Sequence, residues 1–310
     1  MKTLAALVCT IAGALAGALP LHAAPAKERF DVAVTVDDLP AHGNLPAGMT
    51  RLGIAEAHLQ AFRAHGVPEA FGFVNAARLA QEPDSAAVLD LWRGAGQPLG
   101  NHAYSHMNLN SAPSLAAWQA DVAAGEPAVA AHMAGADWHW FRYPNLAGGS
   151  DEATRSGALA WLRQRGYRIA DVAMSFSDWD YTDAYARCVA RRDDAAIAGM
   201  KAHYMARVDR EILRTREQSK RVFGRVIPMV LLTHVGGWSS VTLPDVLRRL
   251  DAAGAHYVTL AQASADPAYA TPGGGTVIER VARQRGIALD DAEAMFPDQA
   301  PPLDLKTVCR

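Results

Sequence analysis

The sequence predicts an α/β fold whose parallel sheet comes close to a closed barrel. Short apolar runs rich in β-branched and aromatic residues alternate with longer amphipathic stretches, which is typical of strand–helix repeats. Hydrophobic residues make up 50% of the chain and charged residues 20%. This balance supplies a core and excludes a disordered chain, a collagen-like repeat or a coiled coil. A length of 310 residues fits one large barrel or two average domains.

The charge balance narrows the classes of partner. The formal net charge is −2 and the sequence pI is about 6.6. A nucleic-acid-binding surface needs a basic footprint that this composition does not provide. The sequence therefore predicts neither a nucleic-acid binder nor a protein held electrostatically at a membrane.

The first 24 residues have the pattern of a secretory signal peptide. Lys2 precedes the apolar run Leu4–Leu19, and small residues suited to cleavage follow around Ala24. The alternative is a membrane anchor, but the run contains glycines and ends at Pro20, so it falls short of a strongly apolar span. We expect an exported protein, periplasmic or secreted, with no stable membrane anchor after cleavage.

The cysteines suggest one covalent link and argue against a cysteine-rich metal cage. Cleavage of the signal peptide would remove Cys9 and leave Cys188 and Cys309. In an oxidising compartment these two either form one disulfide or remain free thiols. Any metal must therefore use other ligands.

The order of predicted elements defines three segments: the signal peptide 1–24, a barrel over 25–270 and a tail over 271–310. The predicted strands are Phe30–Val36, Ala70–Val74, Pro98–Asn101, Trp138–Arg142, Tyr167–Val172, Pro228–Thr233 and Ala255–Thr259. The predicted helices are Arg51–His65, Ser85–Gly94, Leu115–Met133, Ala153–Arg165, Leu243–Ala253 and Val277–Arg285. A charged helical insert at 180–225 exceeds what a barrel repeat requires, and we expect a solvated face packed on the outside.

Polar residues follow several of these strands, at the edge where a parallel barrel gathers its functional groups. Asp37 and Asp38 follow the first strand, although a surface turn also favours such a pair. His102 and His106 follow the third strand at a spacing that aligns two imidazoles on a helical turn. With Asp38 they would form a two-histidine, one-carboxylate site suited to Zn, and also to Fe, Co or Ni.

Three further strand ends carry polar groups. Arg142 ends an aromatic strand, so its guanidinium needs an anionic partner, and Asp178 offers one. Trp179 follows as an aromatic plate. His234 ends the most apolar strand, where a satisfied core histidine is the alternative to a catalytic one. Taken together, these strand ends favour one hydrolytic site.

At these positions the sequence resembles the polysaccharide deacetylases of the NodB-homology type, carbohydrate esterase family 4. The motifs of that family are T-F-D-D-G, H-[ST]-x-x-H, R-x-P-[YF], D-x-x-D-W and [IV]-x-L-x-H. They are matched in order by Thr35–Asp38, His102–His106, Arg142–Pro144, Asp178-Trp179 and Val230–His234. The resemblance implies a distorted (β/α)7 barrel, here with the helical insert and a C-terminal helical tail.

The resemblance also implies a role for each matched residue. Asp38, His102 and His106 would hold a divalent metal. Asp37 would be the general base and His234 the general acid. Arg142 would orient Asp37, and Asp178 would hold Arg142. The substrate side would be formed by Tyr143, Asn145, Trp179 and Leu232, with Trp179 and Leu232 around the acetyl methyl group and a backbone N–H near Asn145 on the carbonyl oxygen.

The sequence departs from the family pattern at four positions. Leu39 stands where the first motif has Gly, and Ala103 replaces a Ser or Thr whose hydroxyl braces the metal loop. Asn145 replaces an aromatic residue, and Ser175 replaces the first Asp of the fourth motif. No metal ligand, base or acid is lost, so the resemblance implies an active enzyme with a remodelled substrate groove. His42 lies either near the site or in a surface loop.

These observations predict an exported, metal-dependent deacetylase. Its partner would be an acetylated carbohydrate: peptidoglycan, chitin-type oligomers or, for O-acetyl esters, xylan. One alternative is a related hydrolase of a small amide, and another is a carbohydrate-binding protein without catalysis. The presence of both Asp37 and His234 argues against binding alone. A purely structural metal site would require a fourth protein ligand, and the sequence suggests none.

Overall fold

The computed structural model describes residues 28–310. The predicted signal peptide and Cys9 lie outside the described residues. Within residues 28–310, no helix has both the length and the apolar character needed to cross a membrane.

Eight parallel strands form the sheet: β1 Phe30–Leu39, β2 Ala70–Val74, β3 Leu99–Asn101, β4 Trp140–Phe141, β5 Arg168–Ile169, β6 Met174–Ser175, β7 Met229–His234 and β8 Ala255–Tyr257. Seven of them follow the order β5-β4-β3-β2-β1-β7-β6, while β8 pairs with the start of β1. They curl into a distorted (β/α)7 barrel, which confirms the predicted fold class. In the part of the chain that is described, β5 and β6 do not pair with each other, so the barrel is open there.

The central strand is longer than predicted, and this matters for the site. Strand β1 continues past Val36 to Leu39 because Asp37 still pairs with His234 of β7 and Leu39 pairs with Val74 of β2. Asp37 and His234 are thus direct partners on neighbouring strands, which lie about 4.8 Å apart in a sheet. The short strand β6 was not predicted, since two residues carry no readable periodicity.

Eleven α-helices surround the described barrel: α1 Arg51–Ala64, α2 Ala77–Gln81, α3 Ala86–Gly94, α4 Leu115–His132, α5 Glu152–Gln164, α6 Trp179–Arg191, α7 Asp194–Phe223, α8 Gly237–Ala253, α9 Leu260–Ser264, α10 Val277–Arg285 and α11 Asp290–Met295. Helix α8 begins six residues before its predicted start at Leu243. Glycines and serines predict a loop there, but the Ser239 hydroxyl accepts a hydrogen bond from the Gly236 N–H at 3.0 Å and caps the first turn.

The helical insert consists of two helices, α6 and α7. Arg192 ends α6 in the left-handed conformation, and the Asp193 carboxylate caps α7 by accepting a hydrogen bond from the Ala196 N–H. Helix α7 turns a buried face that includes Met200 and Tyr204 toward the barrel, and it packs against α6 and α8. Its other face is charged and solvated.

Residues after 271 pack along the β5 side of the opening in the barrel. Thr276 forms a parallel bridge with Val172, just beyond β5. Arg280 on α10 forms an ion pair with the buried carboxylate of Asp171 at 2.6 Å. Gly274 lies so close to Gly148 that a Cβ on Gly148 would come within 2.3 Å of the Gly274 nitrogen. This part of the tail therefore completes the barrel wall beside the loop that follows β4.

A disulfide joins Cys188 of α6 to Cys309, which confirms the paired alternative. Arg187 reinforces this contact, since its guanidinium donates to the carbonyl oxygens of Leu305 and Val308. Helix α6 begins directly after Asp178, so the linked tail packs on the helix that leads out of the site.

Replacing Cys309 by Ser is expected to lower the free energy of unfolding by about 2–4 kcal/mol, because the cross-link restricts a long loop in the unfolded chain. Urea denaturation of the oxidised protein, of the same protein with reductant, and of the variant tests this. The reduced protein should resemble the variant, and reductant should leave the variant unchanged. Equal midpoints for all samples would contradict the expectation.

Candidate active site

Four strand ends meet at one edge of the barrel and carry the predicted site residues. Asp37 and Asp38 lie at the end of β1, His102 follows β3, Arg142 follows β4 and His234 ends β7. Because all the strands are parallel, these ends lie at the same edge. The sheet therefore gathers groups that are far apart in sequence.

Asp38, His102 and His106 form a candidate metal site. The Nε2 atoms of both histidines lie 3.5 Å from Asp38 Oδ1. Two atoms that bind one tetrahedral ion at about 2.1 Å lie about 3.4 Å apart, so these spacings fit a shared cation. Asp38 Oδ1 is also buried without a hydrogen-bond partner. An unpaired buried carboxylate oxygen facing two imidazole nitrogens fits a divalent metal well.

The two histidines lie in a loop, so the predicted helical turn is wrong. Ala103 and His106 both have positive φ angles, 65° and 62°, which no α-helix contains. Side chains brace this loop instead: Asn101 Oδ1 accepts a hydrogen bond from the Ala103 N–H, and the Asp121 carboxylate accepts from the N–H and hydroxyl of Ser105. The spacing of four residues brings the imidazoles together through loop geometry.

Both histidines turn Nε2 toward Asp38. His102 is 1% exposed, and its Nδ1 donates to the Arg142 carbonyl at 2.8 Å, which leaves the Nε2 lone pair facing Asp38. Burial, together with the nearby His102, lowers the pKa of His106 to about 4. Burial opposes ionisation of Asp38, but the hydrogen bond from His42 and the charge of His234 outweigh it, so the pKa of Asp38 lies below the usual range.

His42 is a partner of the metal site that the sequence left open. Its Nδ1 donates to Asp38 Oδ2 at 2.7 Å. Asp38, His42 and His234 also have potential ligand atoms within 4.8 Å of one another. A separation of 2.7 Å is too short for two ligands of one tetrahedral ion and fits a hydrogen bond. His42 thus holds the second oxygen of Asp38 while the first faces the metal-binding histidines.

Arg142 and Asp37 form a buried ion pair. Arg142 is 1% exposed and Asp37 is 3% exposed. Arg142 Nη1 donates to both carboxylate oxygens at 3.0 and 3.1 Å, while Nη2 donates to the Thr35 hydroxyl and Nε to the Ala170 carbonyl. Asp37 Oδ2 is 3.6 Å from His102 Nε2, so the fixed carboxylate adjoins the candidate metal site.

Asp178 binds His234, so the predicted contact between Asp178 and Arg142 is wrong. Its carboxylate accepts hydrogen bonds from His234 Nδ1 at 2.9 Å, from the His234 N–H and from the Thr233 hydroxyl. The three guanidinium nitrogens of Arg142 donate instead to Asp37, Thr35 and the Ala170 carbonyl. Burial opposes the charged imidazolium, but the Asp178 carboxylate outweighs it and raises the pKa of His234 to about 9. The carboxylate of Asp178 thus favours the protonated form of His234.

The four predicted substrate residues differ in accessibility. Trp179 is 48% exposed at the start of α6, whereas Leu232 is buried in β7. Asn145 is exposed, with a φ of 55° in the loop after β4. Tyr143 is buried, and its ring stacks on that of Trp118 in the core. It also contributes to the lining of a neighbouring cleft. Its position indicates a mainly packing role.

The fold and the site together define a parallel barrel with a candidate metal centre. Beside this centre, Asp37 of β1 lies opposite His234 of β7. The family model for polysaccharide deacetylase matches residues 24–170. Over these residues the chain is similar to polysaccharide deacetylases, in agreement with the predicted resemblance to the NodB and carbohydrate esterase family 4 type. No curated protein matches the chain in sequence.

Solved structures share the fold at low sequence identity. The chitin deacetylase of the fungal pathogen Colletotrichum lindemuthianum has a TM-score of 0.52 at 19% identity, over 76% of this chain and 88% of that protein. BA3943 of Bacillus anthracis, described as a family 4 pseudoenzyme, has a TM-score of 0.51 at 14% identity, over 76% and 66%. A BA3943 mutant with restored enzymatic activity gives 0.51 at 15% identity, over 76% and 68%.

We expect His42→Ala to weaken metal binding about 10- to 100-fold, because Asp38 loses the donor that orients it. Competition with a chromophoric chelator for Zn2+ and Co2+ measures the affinity. His65→Ala is the matched control, since His65 makes a similar 2.6 Å contact with Asp251 away from the site. Unchanged affinity in His42→Ala would contradict the orienting role, and a loss as complete as in His106→Ala would make His42 a ligand.

Asp178→Asn is expected to lower the pKa of His234, because the carboxylate that stabilises the imidazolium is lost. The acid form of His234 would then disappear at lower pH, so the alkaline limb of the pH–rate profile should move toward neutral. Thr233→Val removes one hydrogen bond to Asp178 without changing its charge, and should move that limb less. An alkaline limb that stays in place in Asp178→Asn would assign it to another group.

Proposed function

We propose that the protein is an exported, metal-dependent deacetylase that hydrolyses acetyl groups on a carbohydrate. The observation that carries this proposal is the pairing of Asp37 with His234 across β1 and β7, beside the set Asp38, His102 and His106. A base and an acid flanking a metal site are the groups that amide hydrolysis requires.

Asp38, His102 and His106 would hold the cation, with Zn the best match and Co, Ni or Fe also suited to this ligand set. When bound, a divalent cation lowers the pKa of a water molecule and polarises a carbonyl group. The buried, unpaired Asp38 Oδ1 supports this assignment. The hydrogen bond from His102 Nδ1 to the Arg142 carbonyl keeps the other ring nitrogen free for the same purpose.

Asp37 would act as the general base. Its ion pair with Arg142 fixes the position of the carboxylate beside the candidate metal site. It accepts a proton from the attacking water as the water oxygen bonds to the acetyl carbon. Arg142 would position Asp37 without touching the substrate, since it is 1% exposed and each of its three guanidinium nitrogens donates within the protein.

His234 would act as the general acid. The C–N bond breaks as His234 donates its proton to the leaving nitrogen, giving acetate and a free amine. Asp178 holds Nδ1, so the proton available to the substrate is on Nε2. An amide needs this proton because its nitrogen leaves poorly as an anion. An aryl ester does not need the proton.

An acetylated polymer is the substrate class we propose: peptidoglycan or chitin-type N-acetylglucosamine units, with O-acetyl xylan next. Trp179 and Leu232 would flank the acetyl methyl group, and a backbone N–H near Asn145 would stabilise the carbonyl oxygen. The exposed Trp179 favours a polymer over a small amide in a closed cup. Export rests on the signal-like first 24 residues.

Asp37→Asn should lower acetate release about 100- to 10,000-fold while leaving metal stoichiometry unchanged, because it removes the base and no ligand. The assay compares metal-stripped and Zn-, Co- or Ni-reloaded protein on chitooligosaccharides, peptidoglycan, acetylxylan and an aryl acetate. His234→Ala should impair the amides far more than the aryl acetate. The molecular mass of the protein recovered from the periplasm shows whether the signal peptide has been cleaved.

Acetate release that survives metal removal, or that Asp37→Asn leaves intact, would contradict the mechanism. Stoichiometric metal without release from any substrate would favour the hydrolase of a small amide or a binding protein. Absence of bound metal would overturn the assignment of Asp38, His102 and His106.

A further inference from the structure

The tail over 271–310 contacts the turn that carries the proposed carbonyl-binding N–H. This turn follows β4 and includes Asn145 and Leu146, which both have positive φ angles, 55° and 52°. Two consecutive residues other than glycine in the left-handed region are uncommon, and the conformation is costly for leucine in particular. The surrounding structure must therefore hold this turn in shape, and backbone held in this way is concentrated at functional sites.

The first end of the turn is fixed by residues that also build the site. The Arg142 carbonyl accepts from His102 Nδ1 at 2.8 Å, and the ring of Tyr143 stacks on that of Trp118 in the core. The Leu146 N–H then donates to the Tyr143 carbonyl at 3.0 Å. These contacts set where the turn begins, and the Leu146 carbonyl finds its partner elsewhere.

The tail fixes the other end of the turn with backbone atoms. The Gly275 N–H donates to the Leu146 carbonyl at 2.8 Å. A Cβ on Gly274 would lie 2.4 Å from the Gly148 nitrogen and 2.8 Å from the Leu146 oxygen, so this close approach requires glycine. The contact joins the segment that matches the family model, residues 24–170, to a part of the chain outside that match.

Arg280 on α10 holds the glycine run against the turn. Its Nε donates to the Thr271 carbonyl and its Nη1 to the Gly274 carbonyl, both at 3.0 Å. Its Nη2 donates to the buried carboxylate of Asp171, just after β5, at 2.6 Å. One guanidinium thus fixes two points of the glycine run and fastens the run to the barrel. The position of the turn therefore depends on a side chain of the tail.

We propose that Gly274, Gly275 and Arg280 position the turn at Asn145 and Leu146 so that its N–H meets the acetyl oxygen in the transition state. As the water oxygen bonds to the acetyl carbon, negative charge develops on the acetyl oxygen, and an N–H that is already in place stabilises this charge without reorganisation. The three tail residues act through the turn and are positioning residues. This inference rests on the proposed function.

Gly274→Ala tests the contact, because the added Cβ would push on the Leu146 oxygen. We expect kcat to fall about 10- to 100-fold with KM nearly unchanged, since a donor displaced by about 1 Å stabilises the transition state less and hardly affects binding. The metal-loaded protein is assayed on N-acetylchitotetraose and on the aryl acetate. Both should slow by a similar factor because both form an oxyanion, whereas His234→Ala should impair the amide far more.

Gly273→Ala is the matched control in the same run. Of Gly273, Gly274 and Gly275, the last is the one with a positive φ, 69°, so alanine suits the backbone at 273 and at 274. A Cβ on Gly273 would meet the flexible side chain of Arg280, with the nearest atom at 3.3 Å. This variant should keep the wild-type kcat, metal stoichiometry and urea midpoint.

Amide hydrogen exchange, followed by mass spectrometry of peptides, reports on the turn without any substrate. The Leu146 and Gly275 amides should exchange faster in Gly274→Ala than in wild type or Gly273→Ala, because their hydrogen bonds open more often. If Gly274→Ala does not fold, Arg280→Lys replaces it, since lysine keeps the charge beside Asp171 but loses the planar fork that reaches two carbonyls. Arg280→Lys should lower kcat several-fold and speed the same exchange.

The two proposals fail in different ways. Wild-type kcat and exchange in folded Gly274→Ala, a loss no larger than in Gly273→Ala, or a loss confined to KM would overturn the positioning role while leaving deacetylation intact. Unchanged kcat and exchange in Arg280→Lys would overturn it where that variant is the one tested. If the wild type releases no acetate, the proposed function fails and exchange decides: faster exchange in Gly274→Ala would support the hold of the tail on the turn, and unchanged exchange would overturn it.

Discussion

The buried ion pair between Arg142 and Asp37 is the interaction on which the rest of the site depends. Either charge without the other would be strongly destabilising in an interior that excludes water. Arg142 also connects three strands. It follows β4, and its guanidinium binds Asp37 and Thr35 on β1 and the Ala170 carbonyl after β5. The backbone carbonyl of Arg142 accepts a hydrogen bond from His102. Arg142 therefore positions both Asp37, the proposed base, and His102, a proposed metal ligand.

The sheet places a second pair, Asp178 with His234, near the pair of Asp37 with Arg142. His234 follows Thr233 on β7, and both are held by Asp178, which precedes α6. Asp37 and Asp178 have different proposed roles because their partners differ. Asp37 pairs with Arg142, whose charge is permanent, whereas Asp178 binds the imidazole of His234, whose proton can be transferred. The register between β1 and β7 then sets the distance between base and acid, and register in a buried parallel sheet resists slippage because both faces pack.

The sequence was sufficient for the barrel, for the clustering of Asp38, His102 and His106, and for the pairing of Arg142 with Asp37, because strand ends and motif order carry that information. It failed where the partner depends on side-chain direction in three dimensions. Asp178 was paired with Arg142 because both follow strands, but the path of the loop before α6 turns it toward His234. His42 gave no pattern, since its link to Asp38 depends on the backbone at the end of β1, where Asp38 has a φ of 66°. Two-residue strands such as β6 are too short to read.

The departures from the family motifs fall where this chain supplies other support. Ala103 has no hydroxyl to brace the metal loop, but Asn101 binds the Ala103 N–H and Asp121 binds Ser105 in that loop. The packing is tight enough that a Cβ on Gly125 of α4 would lie 2.8 Å from Asn101 Oδ1. His42 adds a hydrogen bond to Asp38, next to Leu39, which replaces the glycine of the motif at the end of β1. The loss of a motif hydroxyl therefore need not loosen the ligands, because their orientation is set by several weaker contacts whose donors and acceptors come from β1, β3 and α4.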